Sequence, residues 1–210
     1  MIELTKMAEA LQDGNDKVVY ETTQKAIEEG IPAKTILDDG LIAGMNVISE
    51  KFRKHEIFLP HVLLAAKAMY AGMDLLKPLF IKDKIPLRGK IVIGTVQGDL
   101  HDIGKNLVGI MLKGAGFDVI DLGKDVSVDN FVDTAEKEDA NVIGMSALLT
   151  TTQPIMKKVV EKLKEKGLNN KIMTIVGGAP LSSEYAELIG ADAYSYDAAN
   201  AVVSVNELVK

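Results

Sequence analysis

Residues 90–106 read KIVIGTVQGDLHDIGKN and contain the pattern that decides the fold. Ile91 to Val96 form a short β-branched run that is typical of a buried strand. The glycine-containing segment after this run leads into the apolar pattern of a helix at residues 107–111. A strand, a loop and a helix form the repeating unit of parallel α/β sheets, so the segment predicts an α/β domain.

The same alternation continues to the end of the chain. Strands are predicted at 91–96, 117–122, 142–146 and 172–176, with a short one near Ala193. Five strands alternating with helices predict a Rossmann-like (flavodoxin-like), doubly wound, five-stranded parallel sheet over residues 90–210. Ligands of such sheets lie beyond the carboxyl ends of the strands, which directs attention to the loops at 98–105, 147–153 and 177–180.

Residues 1–82 have helical periodicity and predict a separate domain. Four amphipathic stretches with short connections predict a four-helix bundle. The third helix is expected to start after Pro32 and to reach about Phe52, and the fourth to run from about Leu59 to Pro78. The polar, proline-containing residues 83–89 are the predicted linker.

Composition excludes several classes of function. The 210-residue chain has no cysteine, which excludes disulfides, thiolate metal sites and cysteine nucleophiles. Its formal net charge of −6 and scattered lysines argue against a nucleic-acid partner. Neither a membrane-spanning apolar run nor a signal-peptide pattern is present, so we expect no membrane association and a cytoplasmic location.

The loop after the first strand does not match two familiar glycine-rich motifs. A phosphate-binding loop needs four residues between its glycines and a Ser or Thr after the lysine, whereas five residues separate Gly98 from Gly104 and Asn106 follows Lys105. The dinucleotide fingerprint is absent as well. Asp99 stands two residues before His101, an arrangement that can tune a metal-bound imidazole but that also occurs as a simple surface pair.

Three loops together carry a resemblance to a known family. Asp99-x-His101-x-x-Gly104, Ser146-x-Leu148 and Gly177-Gly178 follow strands one, three and four in this order. The set resembles the cobalamin-binding domain of methionine synthase. Over its whole length the chain is most similar to the small corrinoid proteins of methylamine, methanol and glycine betaine methyltransferase systems, in which a helical bundle precedes the corrinoid domain.

The resemblance implies a role for individual residues. His101 would be the lower axial ligand of cobalt, and Asp99 would bind its imidazole. Thr152 would supply a hydroxyl as the third member of this hydrogen-bonded relay from His101 through Asp99. Phe52, Leu59 and Val62 would form an apolar cap over the reactive face of cobalt. Gly177 and Gly178 would leave room for the nucleotide tail, although a tight turn after the strand would explain them equally well. The implied cofactor-binding residues are Gly98, Asp99, His101, Asp102, Ile103, Gly104, Ser146, Leu148, Thr150, Thr152, Gly177 and Gly178.

The implied function is that of a methyl carrier in anaerobic one-carbon metabolism, without catalytic residues beyond the cofactor. The cobalt of cobalamin or a related corrinoid would cycle between Co(I) and methyl-Co(III). One partner would be a methyltransferase specific for a methylated amine, betaine or methanol, and a second would act on tetrahydrofolate or a thiol coenzyme. A reductive activase is a further expected partner.

Other functions stay open at the level of the sequence. A cobalamin-dependent sensor or regulatory module can share this layout, a flavin-binding or signalling domain can share the sheet, and a mutase would need a substrate barrel on another chain. His55 and His61 faintly resemble a zinc-protease helix, but their spacing of six and the intervening Pro60 favour solvated side chains.

Overall fold

A computed structural model describes residues 2–83 and 87–210 of the chain. It divides into a helical unit, up to Leu87, and an α/β unit that contains nearly all residues from Arg88 onward. Residues 84–86 of the predicted linker lie outside the described residues, so the bounds of the linker stay a prediction. Within the described residues, none of the helices combines the length and the apolar character that crossing a bilayer requires.

The helical unit contains four helical stretches, as the sequence predicts. They are α1 (Ile2–Gln12), α2 (Asp16–Glu28), the continuous run of α3 (Ala33–Thr35), a π-helical segment (Ile36–Ile42) and α4 (Ala43–Arg53), and finally α5 (Leu59–Asp83). Asn15 caps α2 by accepting a hydrogen bond from the N–H of Val18 at 3.1 Å. Fully buried side chains, among them Met7, Leu11 and Leu76, form the apolar core of the unit.

The prediction that α5 ends at Pro78 is wrong. The helix continues through this proline to Asp83. A proline inside a helix removes one backbone hydrogen bond and crowds the preceding turn. Leu76 and Phe80, on either side of Pro78, are 0% and 8% exposed, and burial of such apolar side chains offsets the local cost.

The α/β unit is built as the sequence predicts, with five parallel strands in the order β2-β1-β3-β4-β5. Its elements are β1 (Lys90–Thr95), α6 (Ile103–Gly114), β2 (Asp118–Asp121), α7 (Val128–Lys137), β3 (Val142–Ser146), α8 (Pro154–Glu165), β4 (Met173–Gly177), α9 (Ser183–Ile189), β5 (Ala193–Ser195) and α10 (Ala198–Leu208). Val92, Phe131, Ile143, Met156 and Val176 are fully buried in the core of this unit.

The sheet register brings three strand ends to one edge. Thr95 of β1 pairs with Ser146 of β3, and Ser146 pairs with Gly177 of β4. The order of strands reverses between β1 and β3, because the chain moves from β1 to β2 on one side and from β3 to β4 on the other. The crevice at such a reversal is the usual ligand site of parallel sheets.

Replacement of Pro78 by alanine tests how much α5 depends on tertiary packing. We expect Pro78→Ala to raise the free energy of unfolding by about 1–2 kcal/mol, since the restored hydrogen bond outweighs the greater freedom of the unfolded chain. Thermal unfolding followed by far-ultraviolet circular dichroism measures the change. Lys77→Ala, at the exposed neighbouring position, is the control and should shift the value by less than about 0.5 kcal/mol. A Pro78→Ala variant less stable than the wild type would contradict the interpretation.

Candidate functional site

The centre of the site is the buried carboxylate of Asp99, in the loop after β1. Asp99 has no solvent exposure. Its Oδ1 accepts a hydrogen bond from the backbone N–H of His101 at 3.0 Å and lies 2.8 Å from His101 Nδ1. The carboxylate therefore holds both the backbone and the ring of the histidine.

The other oxygen of Asp99 binds the loop after β3. Oδ2 accepts hydrogen bonds from the N–H groups of Leu148 at 2.7 Å and Leu149 at 3.1 Å, and lies 3.1 Å from Thr152 Oγ1. Burial alone would raise the pKa of Asp99, but the hydrogen bonds from His101, Leu148 and Leu149 outweigh it and hold the pKa well below its ordinary value of 3.8. Asp99 is thus an anion at neutral pH.

The charge of Asp99 fixes the tautomer of His101. An ionised carboxylate only accepts hydrogen bonds, so Nδ1 of the ring must carry the proton that points to Asp99. Nε2 then carries the lone pair, and the side chain is 53% exposed. Among residues 2–83 and 87–210, no side chain or backbone group forms a hydrogen bond with Nε2. The ring thus has one nitrogen held by a carboxylate and the other available to donate its lone pair, an arrangement also found in metal-binding histidines.

In the described part of the chain, His101 does not belong to a cluster of protein side chains that could hold a metal ion by themselves. No group of three or more His, Cys, Asp or Glu side chains in the described part of the chain could hold a metal ion. One imidazole alone is too few ligands for a free divalent ion. The arrangement fits a metal whose other ligands come from a bound cofactor.

The surface next to His101 is apolar. Leu100 and Ile103, on either side of His101 in the chain, are 63% and 76% exposed, and Leu148 and Leu149 of the third-strand loop are 43% and 39% exposed. Large exposed apolar side chains gathered at one edge of a domain are typical of binding surfaces. Beside them, a Cβ atom added to Gly104 would meet nothing within 4 Å, so the start of α6 is open to a ligand.

The remaining predicted cofactor contacts lie in the same loops or at the ends of their strands. Thr152 is 7% exposed, and its hydroxyl lies within hydrogen-bond distance of both Asp99 and the Leu149 carbonyl, which is 2.9 Å away. Thr150 is exposed, and Asp102 and Ser146 are half-buried. The structure brings these side chains to one edge; their contacts with a cofactor stay predictions.

The structure explains why residue 178 is a glycine, a question that the sequence left open. Its φ is +141°, and a Cβ atom there would lie 1.9 Å from the carbonyl oxygen of Ala147. Only glycine fits such a conformation and so close an approach. The close turn after β4 therefore requires Gly178, whether or not the glycine also leaves room for a nucleotide tail.

The predicted cap residues lie in the helical unit. Phe52 is near the end of α4 and is half-buried, Leu59 is the first residue of α5 and is half-buried, and Val62 is fully buried. Their role above a cofactor stays a prediction. His55 and His61 are exposed, and His61 Nδ1 accepts a 3.4 Å hydrogen bond from the N–H of Phe58.

Sequence reasoning missed an ion pair beside the site. Lys105 of α6 is 5% exposed, and its Nζ lies 2.6 Å from each carboxylate oxygen of Asp121 at the end of β2. Asp121 also accepts a 2.8 Å hydrogen bond from the N–H of Gly123. The pair joins the first turn of α6 to the neighbouring strand. The two residues are 16 positions apart in the chain, so the pair left no local pattern in the sequence.

Comparisons with known proteins give family matches in both units of the chain. A family model described as "B12 binding domain" matches residues 89–205, and a second model of the same description matches residues 3–77. A dimethylamine corrinoid protein of Methanosarcina acetivorans is 44% identical over 98% of this chain and 97% of its own length. A corrinoid protein of Desulfitobacterium hafniense is 41% identical, with 98% of this chain and 97% of the relative covered.

Two solved structures are similar over nearly the whole chain. A cobalamin-binding protein from Desulfitobacterium hafniense aligns with a TM-score of 0.81 and 33% identity, covering 99% of this chain and 98% of the other. A chain of the methanol:cobalamin methyltransferase complex of Methanosarcina barkeri aligns with a TM-score of 0.87 and 31% identity, covering 99% of this chain and 79% of the other.

Replacement of Gly178 tests the tight turn after β4. We expect Gly178→Ala to lower the free energy of unfolding by about 3 kcal/mol, because the methyl group adds a clash with Ala147 to an unfavourable φ. Gly167→Ala is the matched control: its φ is +68°, and nothing lies within 4 Å of the added atom, so the cost should be about 1 kcal/mol. Urea unfolding compares the two. Equal losses would show that the contact with Ala147 is unimportant.

The lowered pKa of Asp99 predicts a specific dependence of stability on pH. Its ionised form stabilises the fold above the ordinary carboxyl value of 3.8, and this contribution declines as the pH falls below that value. The thermal midpoint of the wild type should therefore fall more steeply than that of Asp99→Asn between roughly pH 5 and pH 2. Parallel curves for wild type and Asp99→Asn would refute the role of the charge.

Proposed function

The chain belongs to the family of B12-binding corrinoid proteins, and we propose that it carries a methyl group on a corrinoid whose cobalt is bound from below by Nε2 of His101. The observation that supports this proposal most directly is the half-exposed imidazole whose Nδ1 is held by the buried Asp99 carboxylate. The bound cofactor would supply the chemistry, since its cobalt can accept a methyl group and give it up again.

The described residues fit a corrinoid. A corrinoid would bring other ligands of its cobalt with it, so a single protein nitrogen such as Nε2 of His101 would be enough to complete the site. The exposed apolar side chains of Leu100, Ile103, Leu148 and Leu149 suit a large, flat and mainly apolar ring. Ser146 and Leu148 are proposed to contact the nucleotide tail, Gly177 and Gly178 to leave room for it, and Gly104 and Thr150 to make further contacts with the cofactor.

Asp99 has two tasks in this proposal. It orients the imidazole and makes Nε2 a better donor while His101 is bound to a metal. If His101 left the metal, the anionic carboxylate 2.8 Å from Nδ1 would keep the ring oriented for rebinding. The N–H groups of Leu148 and Leu149 keep Asp99 charged throughout, and Thr152 is proposed to stabilise the same oxygen.

The proposed partners follow from methyl transfer. A relative is named for dimethylamine, and a structural neighbour is part of a methanol:cobalamin methyltransferase complex. We therefore propose a substrate-specific methyltransferase as the donor-side partner, with methylated amines as the first substrates to test. A second methyltransferase would transfer the methyl group to tetrahydrofolate or a thiol coenzyme. A reductive activase would reduce cobalt that has become oxidised and so return it to the active state. Phe52, Leu59 and Val62 are proposed to keep water from the reactive face between these encounters.

Removal of the imidazole tests whether His101 is the cobalt ligand. We expect His101→Ala, loaded with a cobalt(III) corrinoid, to lose the absorption spectrum of axial nitrogen ligation, because no other imidazole of the α/β unit can replace it. His55→Asn is the control, since asparagine tolerates the positive φ of +59° at that exposed position, and its spectrum should be that of the wild type. An unchanged spectrum in His101→Ala would refute the assignment.

Methyl transfer itself is tested with the loaded and reduced wild type and methyltransferases specific for methylated amines, betaine and methanol. Transfer from a methylated amine, betaine or methanol to the corrinoid supports the carrier function. A protein that binds a corrinoid with His101 ligation but takes methyl groups from none of these donors would instead favour a cobalamin-dependent sensor.

A further inference from the structure

Thr95 contacts His101 directly, although it is not among the residues that the sequence pattern indicates. It is the last residue of β1 and has no solvent exposure. Its hydroxyl donates a 2.9 Å hydrogen bond to the backbone carbonyl of His101, six residues later in the chain. Its own N–H donates to the carbonyl of Gly123 at 2.9 Å. The end of the central strand thus holds the backbone of the histidine.

Asp125, in the loop after β2, holds the backbone on both sides of Asp99. Its Oδ1 accepts a 2.7 Å hydrogen bond from the N–H of Gly98, and its own N–H donates to the carbonyl of Asp99 at 3.1 Å. Asp125 has a φ of +56°, which is unfavourable for most residues other than glycine. The side chain forms one of these bonds and the backbone N–H forms the other, so Asp125 joins the two loops through both groups.

These contacts restrict the loop and leave the ring accessible. The backbone is bound at the Gly98 N–H, the Asp99 carbonyl, and both the N–H and carbonyl of His101. The imidazole itself is 53% exposed. An axial ligand binds a metal well only when its nitrogen lies at the right height, and small displacements weaken it strongly.

We propose that Thr95 and Asp125 are positioning residues that set the height of His101 Nε2 beneath the corrinoid, so that the imidazole binds and leaves the metal while the loop backbone stays fixed. The inference rests on the proposed function, because it takes His101 to be the cobalt ligand. The loop after β2 would then help to position the cobalt ligand, in addition to the Asp99–His101 pair.

The first test uses Thr95→Val, which keeps the shape and removes the hydroxyl. The fraction of His-ligated cofactor is measured from the nitrogen splitting in the electron paramagnetic resonance spectrum of the cobalt(II) form. We expect the ratio of ligated to unligated cofactor to fall roughly fivefold, the effect of one ordinary hydrogen bond. Thr95→Ser should restore it to within about twofold, since serine keeps the hydroxyl.

Thr174→Val is the matched control. Thr174 is a buried strand threonine of β4, 2% exposed, whose hydroxyl donates to Asp192 Oδ2 at 2.8 Å. The substitution removes two hydrogen bonds elsewhere in the sheet, because the hydroxyl also accepts from the Asp192 N–H at 3.2 Å. It should lower thermal stability at least as much as Thr95→Val and leave the ligated fraction unchanged. A purely structural role of Thr95 would give the same ligated fraction in both variants.

Asp125 provides a second test at an exposed position, where folding is not at risk. Asp125→Ala removes the acceptor for the Gly98 N–H, whereas Asp125→Asn keeps an oxygen acceptor and tolerates the positive φ. We expect Asp125→Ala to lower the ratio of ligated to unligated cofactor roughly fivefold and Asp125→Asn to stay near the wild type. In the cofactor-free protein, exchange of the Gly98 amide proton should accelerate in Asp125→Ala alone.

The outcomes separate the inference from the proposed function. If the wild type shows nitrogen splitting that His101→Ala lacks, while Thr95→Val and Asp125→Ala both match the wild type, the inference is overturned and the carrier function stands. If the wild type itself shows no splitting from His101, the proposed function fails and the inference falls with it. Reduced ligation in Thr95→Val and Asp125→Ala, with rescue by Ser and Asn, supports the inference.

Discussion

Burial of the Asp99 carboxylate is the constraint on which the site depends. A buried anion is stable only where donors replace the water it has lost. The donors come from two loops: His101 from the loop after β1, and Leu148, Leu149 and Thr152 from the loop after β3. Because one carboxylate binds both loops, the requirement to solvate the charge also brings the loops together. The same requirement fixes the imidazole.

The order of the strands explains why these loops can meet. β1 lies between β2 and β3, and its last residue, Thr95, is in register with Ser146. Each neighbour of β1 contributes a loop to the site: the one after β3 solvates the Asp99 side chain, and the one after β2 binds its backbone through Asp125. The ends of three strands and the loops that follow them thus determine the conformation of the short loop that carries His101. The backbone of His101 is fixed although its ring is half-exposed.

Much of this architecture could be predicted. All five strands and four helical stretches were found by periodicity, because apolar side chains repeat with the period of the element that buries them. The helix end predicted at Pro78 is wrong, because burial of Leu76 and Phe80 outweighs the tendency of proline to end a helix. The glycine at 178 was noticed, but the carbonyl of Ala147 that requires it belongs to another strand.

The sequence by itself determined the α/β class and the helical unit. It also indicated that Asp99 and His101 could pair, since residues two apart in a loop can meet whatever the rest of the chain does. Only the tertiary structure decided what surrounds that pair. Leu148 and Thr152 are 49 and 53 residues from Asp99, and Asp125 is 27 residues from Gly98. Such contacts arise from strand order and register, which are set by the packing of the whole sheet and leave no periodic signal in the residues themselves.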